Sequence, residues 1–162
     1  MTTKRKAAVG AASAGALVIA TSMVGNWEGL RTHSYQDVVG VWTICYGETK
    51  GAGPGQTATP AECKDQLSTR LAQFAFEIQP CLPAGLSDKT QAAFIDVAYN
   101  IGSGAFCKSS ISRKALAGDL RGACDALLAW NKGRIAGLLQ PIQGLTNRRK
   151  AERETCIEGL KP

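Results

Sequence analysis

Residues 28–47 read Glu28-Gly29-Leu30-Arg31-Thr32-His33-Ser34-Tyr35-Gln36-Asp37-Val38-Val39-Gly40-Val41-Trp42-Thr43-Ile44-Cys45-Tyr46-Gly47. Tyr35, Val38, Val39, Val41, Trp42 and Ile44 are aromatic or β-branched, and Gly40 and Gly47 interrupt them. That pattern predicts a small antiparallel sheet within Ser34–Thr49. Just before it, Asn26–Arg31 reads as a short polar helix or turn. Outward from this window, Lys50–Ala58 (KGAGPGQTA) is a loop.

Thr59-Pro60-Ala61-Glu62 forms a capping box with proline at the first helical position. It predicts a helix to about Ile78, stopped by Pro80 and Pro83. Ser87 caps a second helix, in which Phe94, Val97, Ala98 and Ile101 recur at i, i+3, i+4 and i+7. Shorter helices are expected near Ser110–Ala117 and Asp119–Trp130. A last helix is expected from Thr146 to Glu158, stopped by Gly159. One small sheet followed by a run of helices makes an α+β fold. Tyr99 and Trp130 read by default as core aromatics.

With 162 residues, 44% apolar and 20% charged, the chain supports one well-cored domain and is not globally disordered. Its single histidine, His33, leaves no His-built metal or acid–base site, and no metal or other cofactor is expected. The net charge of +6 suits a polyanionic partner such as a cell wall, a membrane surface or nucleic acid, or only a solvated basic face. No basic–aromatic array favours nucleic acid. The six cysteines, Cys45, Cys63, Cys81, Cys107, Cys124 and Cys156, contain no CxxC spacing. They read as disulfides formed after export, with about 15 pairings open.

Export has a visible vehicle. Lys4-Arg5-Lys6 precedes a charge-free stretch, Ala7–Gly25 (AAVGAASAGALVIATSMVG). As a helix it would reach roughly 28 Å, just enough for a bilayer core. The preceding basic residues predict a cytoplasmic N-terminus and a translocated remainder. Thirteen of its nineteen residues are Ala, Gly, Ser or Thr, so insertion is marginal. Three readings stand side by side. One is a signal peptide cleaved near Ala20-Thr21-Ser22. Another is a permanent anchor packing through Gly10-xxx-Ala14. The third is an anchor weak enough to leave the membrane. The organisation expected is an anchor segment over residues 1–25 and a folded domain over 26–162.

Glu28 closes a helical turn, Asp37 follows nine residues on in a turn, and Thr43 six further on in a strand. Hydrolysis of a glycosidic bond needs one carboxylic acid to protonate the leaving oxygen and an opposed carboxylate to direct water. A hydroxyl beside the second carboxylate can help hold that water. The three residue types alone describe unrelated surface positions equally well.

Their surroundings are more specific. Glu28-Gly29-Leu30-Arg31, Tyr35, Asp37, Gly40 and Trp42–Gly47 form one block; Tyr99-Asn100-Ile101-Gly102 with Phe106 forms a second; Gly144-Leu145-Thr146-Asn147-Arg148-Arg149 before Glu152-Arg153 forms a third. Over residues 26–160 the chain resembles the phage-type lysozymes, a family of glycoside hydrolases. The resemblance implies a lysozyme-like fold, a small antiparallel sheet with a mainly helical C-terminal lobe. It also implies a muramidase that cuts the β-1,4 bond between N-acetylmuramic acid and N-acetylglucosamine in peptidoglycan.

By the same resemblance Glu28 is the general acid, Asp37 the carboxylate that works with water and Thr43 the hydroxyl that helps hold it. The family inverts, which needs the carboxyls about 6.5–9.5 Å apart. Water held by Asp37 and Thr43 favours hydrolysis over transglycosylation. Glu28 should be half-buried to keep its proton, with Arg148 beside it acting against that. Tyr99, Asn100 and Ser109, with Arg148, form the implied substrate-binding set. Relatives commonly carry His where this chain has Glu48, for which a structural role is expected over a catalytic one. The implied disulfides are Cys45–Cys63, Cys81–Cys107 and Cys124–Cys156.

The subgroup implied is that of signal-anchor-release endolysins. Such a protein waits in the host inner membrane, its catalytic domain periplasmic, until a holin collapses the membrane potential, and then acts as a monomer in the periplasm. With no cysteine in residues 7–25, the expected switch is geometric, a refolding around Glu28. A different class of function stays open: non-catalytic wall binding or membrane disruption by the basic C-terminal helix, through Arg148, Arg149, Lys150 and Arg153.

Overall fold

The computed structural model describes residues 12–162. Lys4, Arg5, Lys6 and the first part of the charge-free stretch, including Gly10 of the Gly10-xxx-Ala14 pair, lie outside the described residues. The rest of that stretch is folded into the protein. Helix α1 runs over Ala14–Glu28, capped by Ser13, whose hydroxyl accepts a hydrogen bond from the Ala16 amide at 2.9 Å. Ala16, Ala20 and Val24 recur every fourth residue and are fully buried. A face that small lets α1 approach its neighbours closely. Among the described residues, no helix is long and apolar enough to cross a membrane.

The separate polar helix or turn expected over Asn26–Arg31 is not there. Asn26, Trp27 and Glu28 continue α1, and Arg31 opens strand β1 (Arg31–Gln36). The stop signal is Gly29, whose φ of 72° suits glycine and whose amide donates back to the Gly25 carbonyl. Glu28 is thus the last residue of a helix that buries one face.

Strand β1 pairs antiparallel with β2 (Trp42–Cys45), Tyr35 opposite Thr43, as the β-branched pattern predicts. Helix α2 (Pro60–Ile78) begins at the expected capping box: Thr59 Oγ1 accepts from the Glu62 amide, and Glu62 Oε2 accepts from the Thr59 amide. Helix α3 (Asp88–Ile101) is capped by Ser87 and buries an unbroken run, Ala92–Ala98. Gly102 then allows the sharp turn into α4 (Ser103–Lys108), a helix absent from the sequence expectations. Next come α5 (Ser110–Leu116) and α6 (Leu120–Ala126), the latter followed by a single 3-10 turn over Leu127–Ala129.

A second hairpin, β3 (Lys132–Ile135) with β4 (Leu138–Pro141), occupies a stretch the sequence left unassigned. The last helix, α7 (Gln143–Glu158), begins one turn before the expected Thr146. In the interior, α1, α2 and α7 surround α3, with Phe94 and Phe106 packed at 5.9 Å between ring centres. The disulfides are Cys45–Cys63, Cys81–Cys107 and Cys124–Cys156, the pairing the resemblance implied. They join β2 to α2, the 3-10 turn that follows α2 (Gln79–Cys81) to α4, and α6 to α7. The architecture is α+β and lysozyme-like.

Candidate active site

Three helices deliver one charged cluster. Glu28, at the C-terminus of α1, is 26% exposed, and its Oε1 accepts from Arg148 Nη1 at 2.7 Å. Arg148 projects from α7 into the protein, and Asp96 meets it from the middle of α3. Arg148 Nη2 lies 2.5 Å and Nε 3.1 Å from Asp96 Oδ1. One turn along α7, Glu152 Oε1 is 3.4 Å from Arg148 Nε and 2.6 Å from Arg149 Nη2. Asp96, Arg149 and Glu152 are sealed from solvent.

Burial dominates the electrostatics. It pushes the Asp96 carboxyl up against the pull of Arg148 and Arg149. Burial, reinforced by Asp96, pushes Glu152 up to about 8 against Arg149 and Arg148. It also works against Arg148, but Asp96 and Glu28 outweigh it and hold that guanidinium charged.

In front of the cluster lies a cavity of about 260 Å³, lined by Glu28, Glu48, Arg70, Phe74, Tyr99 and Asn100 among others. The Tyr99 hydroxyl donates to the Tyr46 carbonyl at 2.9 Å. Burial, with Glu28 and Glu48 nearby, pushes that phenol up to about 12, so it stays neutral. The Phe74 ring meets the Tyr99 ring edge-on at 5.4 Å. Glu48 pairs its backbone with Ile44 across a tight turn and accepts from the Lys50 amide at 2.8 Å.

Asp37 sits at the tip of the β1–β2 hairpin. Its Oδ1 accepts from the Val39 and Val41 amides, both at 2.9 Å, which fixes the plane of the carboxylate. Thr43 is on β2, buried, with its hydroxyl donating to the Val41 carbonyl at 3.1 Å. The cavity thus gathers Glu28, Glu48, Tyr99 and Asn100, while Asp37 and Thr43 belong to the hairpin that leads into Gly47 and Glu48.

Ser109 is elsewhere. It is buried as the cap of α5, donating to the Phe106 carbonyl and accepting from the Ser112 amide, so it does not line the cavity. Arg148 stands behind Glu28, its guanidinium committed to carboxylates, and it is not among the residues that line the cavity.

The sequence profile of the family described as Phage lysozyme matches residues 25–152, which takes in α1's last turn, the hairpin and the Arg148 helix. The chain belongs to the phage lysozyme family. It is therefore a lysozyme, a glycoside hydrolase that acts on peptidoglycan. This lysozyme is 41% identical over 162 residues to the SAR-endolysin of Bacteriophage PS119, covering 96% of this chain and 95% of that one. Among solved structures, it resembles the muramidase domain of SpmX from Asticaccaulis excentricus, with a TM-score of 0.80 and 25% identity over 88% of this chain and 95% of that one. The endolysin of Escherichia coli O157:H7 phage FAHEc1 gives 0.79 and 25% over 93% and 96%.

In this lysozyme, Asp96, Arg149 and Glu152 join the site without having been singled out as site residues from the sequence. Asp96 carried a usable signal, being the only charged residue in the apolar run Ala92–Ala98. The basic C-terminal helix is not a surface patch. Arg148 and Arg149 are buried and Arg153 is paired with Asp125 at 2.7 Å, which leaves Lys150 alone of the four as an exposed, unpaired cation among the described residues, too little for the cationic face the non-catalytic reading requires.

Proposed function

We propose that this lysozyme is a phage endolysin exported in a membrane-tethered, poorly active form. Residues 1–25 are its anchor and 26–162 its catalytic domain. It becomes active when the anchor leaves the host inner membrane, dependent on a holin, and the segment refolds as α1. The observation that carries this reading is the position of Glu28: it ends a helix that also contains Ala14–Gly25 of the charge-free stretch. While residues 7–25 span a bilayer, Ala16, Ala20 and Val24 cannot pack in the core, and Glu28 cannot reach Arg148. Small residues serve both states, leaving the segment weakly apolar in lipid and closely packed in the enzyme.

In the released state Glu28 donates its proton to the glycosidic oxygen as the bond to the anomeric carbon breaks. A water directed by Asp37 and Thr43 attacks the opposite face of that carbon and gives its proton to Asp37. The sugar leaves inverted, with Tyr99 and Asn100 lining the cleft and Glu48 serving the loop's structure. The hairpin amides that fix Asp37, and the half-buried setting of Glu28, support these roles.

The test is lysis of chloroform-permeabilised Gram-negative cells by wild type and Glu28→Gln, with the sugar products analysed. Wild type should clear the cells and yield reducing muramic-acid ends, and the variant should be slower by about 10²–10⁴-fold. Equal lysis by both would remove Glu28 from the acid's role.

A further inference from the structure

Five charged side chains meet at the rear of the cleft, two arginines (Arg148 and Arg149) and three carboxyls (Glu28, Asp96 and Glu152). All except Glu28 are buried. Asp96 and Glu152 each turn one oxygen to the arginines, and their other oxygens, Asp96 Oδ2 and Glu152 Oε2, are buried with no hydrogen-bond partner. Fully ionised, the cluster carries one negative charge in excess, and a buried cluster resists uncompensated charge. One proton removes the excess. Of the three carboxyls, only Glu28 opens on the cavity where substrate would lie.

We propose that Asp96 and Glu152 are positioning residues that leave the cluster one proton short of charge balance, so that Glu28 can hold, against Arg148, the proton it donates. The inference rests on Glu28 being the general acid. Its physical content is competition for one guanidinium. Asp96 takes two of Arg148's donors, Nη2 and Nε, and Glu28 takes the third, Nη1. With Asp96 neutral, Glu28 becomes the main counter-charge to Arg148 and is favoured as a carboxylate. Glu152 acts in the same direction at longer range, through Arg149 and the 3.4 Å approach to Arg148 Nε.

The other charged groups around Glu28 leave this count unchanged. Tyr99, from α3, is neutral. Arg70, from α2, and Glu48, from the loop after β2, both line the cavity and offset each other. The upward push on Asp96 and Glu152 agrees with a proton shared inside the cluster.

Asp96→Asn and Glu152→Gln keep the side chain's shape and put an amide where the unpartnered oxygen now lies. We would measure kcat and KM on soluble peptidoglycan fragments across the pH range for wild type, both variants and Glu28→Gln. In Asp96→Asn the high-pH limb of kcat/KM should move to lower pH by about one unit or more, with KM little changed. Glu152→Gln should move it the same way by less. A merely structural role would lower activity by one factor at every pH. If both folded variants keep the wild-type limb, the inference is overturned. Should Asp96→Asn not fold, the limb of Glu152→Gln decides by itself. Activity retained in Glu28→Gln would instead overturn the acid assignment beneath it.

Discussion

Arg148 is the residue through which three helices fix the position of Glu28, the proposed acid. Its donors reach Glu28 on α1 and Asp96 on α3, and Glu152 lies one turn along its own helix. Glu28 and Asp37 stand out as candidates in the sequence only through the flanking block, which turns a spacing that describes unrelated surface residues equally well into a family resemblance. Asp96 and Glu152 were less legible, because their importance lies in which helices face each other, and helical periodicity within one segment does not report that.

The cluster also leaves a mark on stability. Glu152 is pushed up to about 8 from the ordinary 4.5 by burial. Between those values the folded cluster keeps one shared proton that the unfolded chain releases, so stability falls as pH rises through the interval. Asp96 is pushed in the same direction. Glu152→Gln removes the Glu152 part of that slope. Thermal unfolding at pH 5 and pH 8 should therefore show wild type losing roughly a few degrees more than the variant on going to pH 8.

At the scale of elements, α1 is the part to which the proposed function gives two states. Its Ala16–Ala20–Val24 face is fully buried against α2 and α3, and Ser13 ties its start to Asp88 on α3 at 2.5 Å. Overfilling this face tests the arrangement. Ala20→Leu should cost about 1–3 kcal/mol in a denaturant titration and displace Glu28, with lysis falling accordingly. The same change makes the segment more apolar, so fractionation of expressing cells should find more of the variant in the membrane.

Helices α2 and α3 were readable because each has both a cap and a period. The second hairpin was not, because its turn is Ala136-Gly137, both with positive φ. An alanine there disguises a turn that asparagine would have announced. Helix α4 escaped for a different reason: six residues are too few for a period to show.

Across the whole molecule, the disulfides distribute support around the site. One anchors β2 to α2 beside the cavity, one holds α4 against the turn that follows α2, and one braces α7, which carries Arg148. Each typically contributes about 2–4 kcal/mol, a useful margin for a domain whose core includes several charged groups. None lies in α1, so the acid-bearing helix is held only by packing, its cap and ion pairs. The even cysteine count was visible in the sequence, whereas the pairing came from the family resemblance and not from the spacing.

The central claim is that the acid reaches its site only when α1 has left the membrane. It is tested by the specific activity of the same full-length chain tethered in lipid vesicles and released from them, on the same soluble peptidoglycan fragments. The tethered form should be slower by about 10²–10⁴-fold, the range expected when a general acid is missing, and release should restore the rate. Equal activity in the two states would contradict the account.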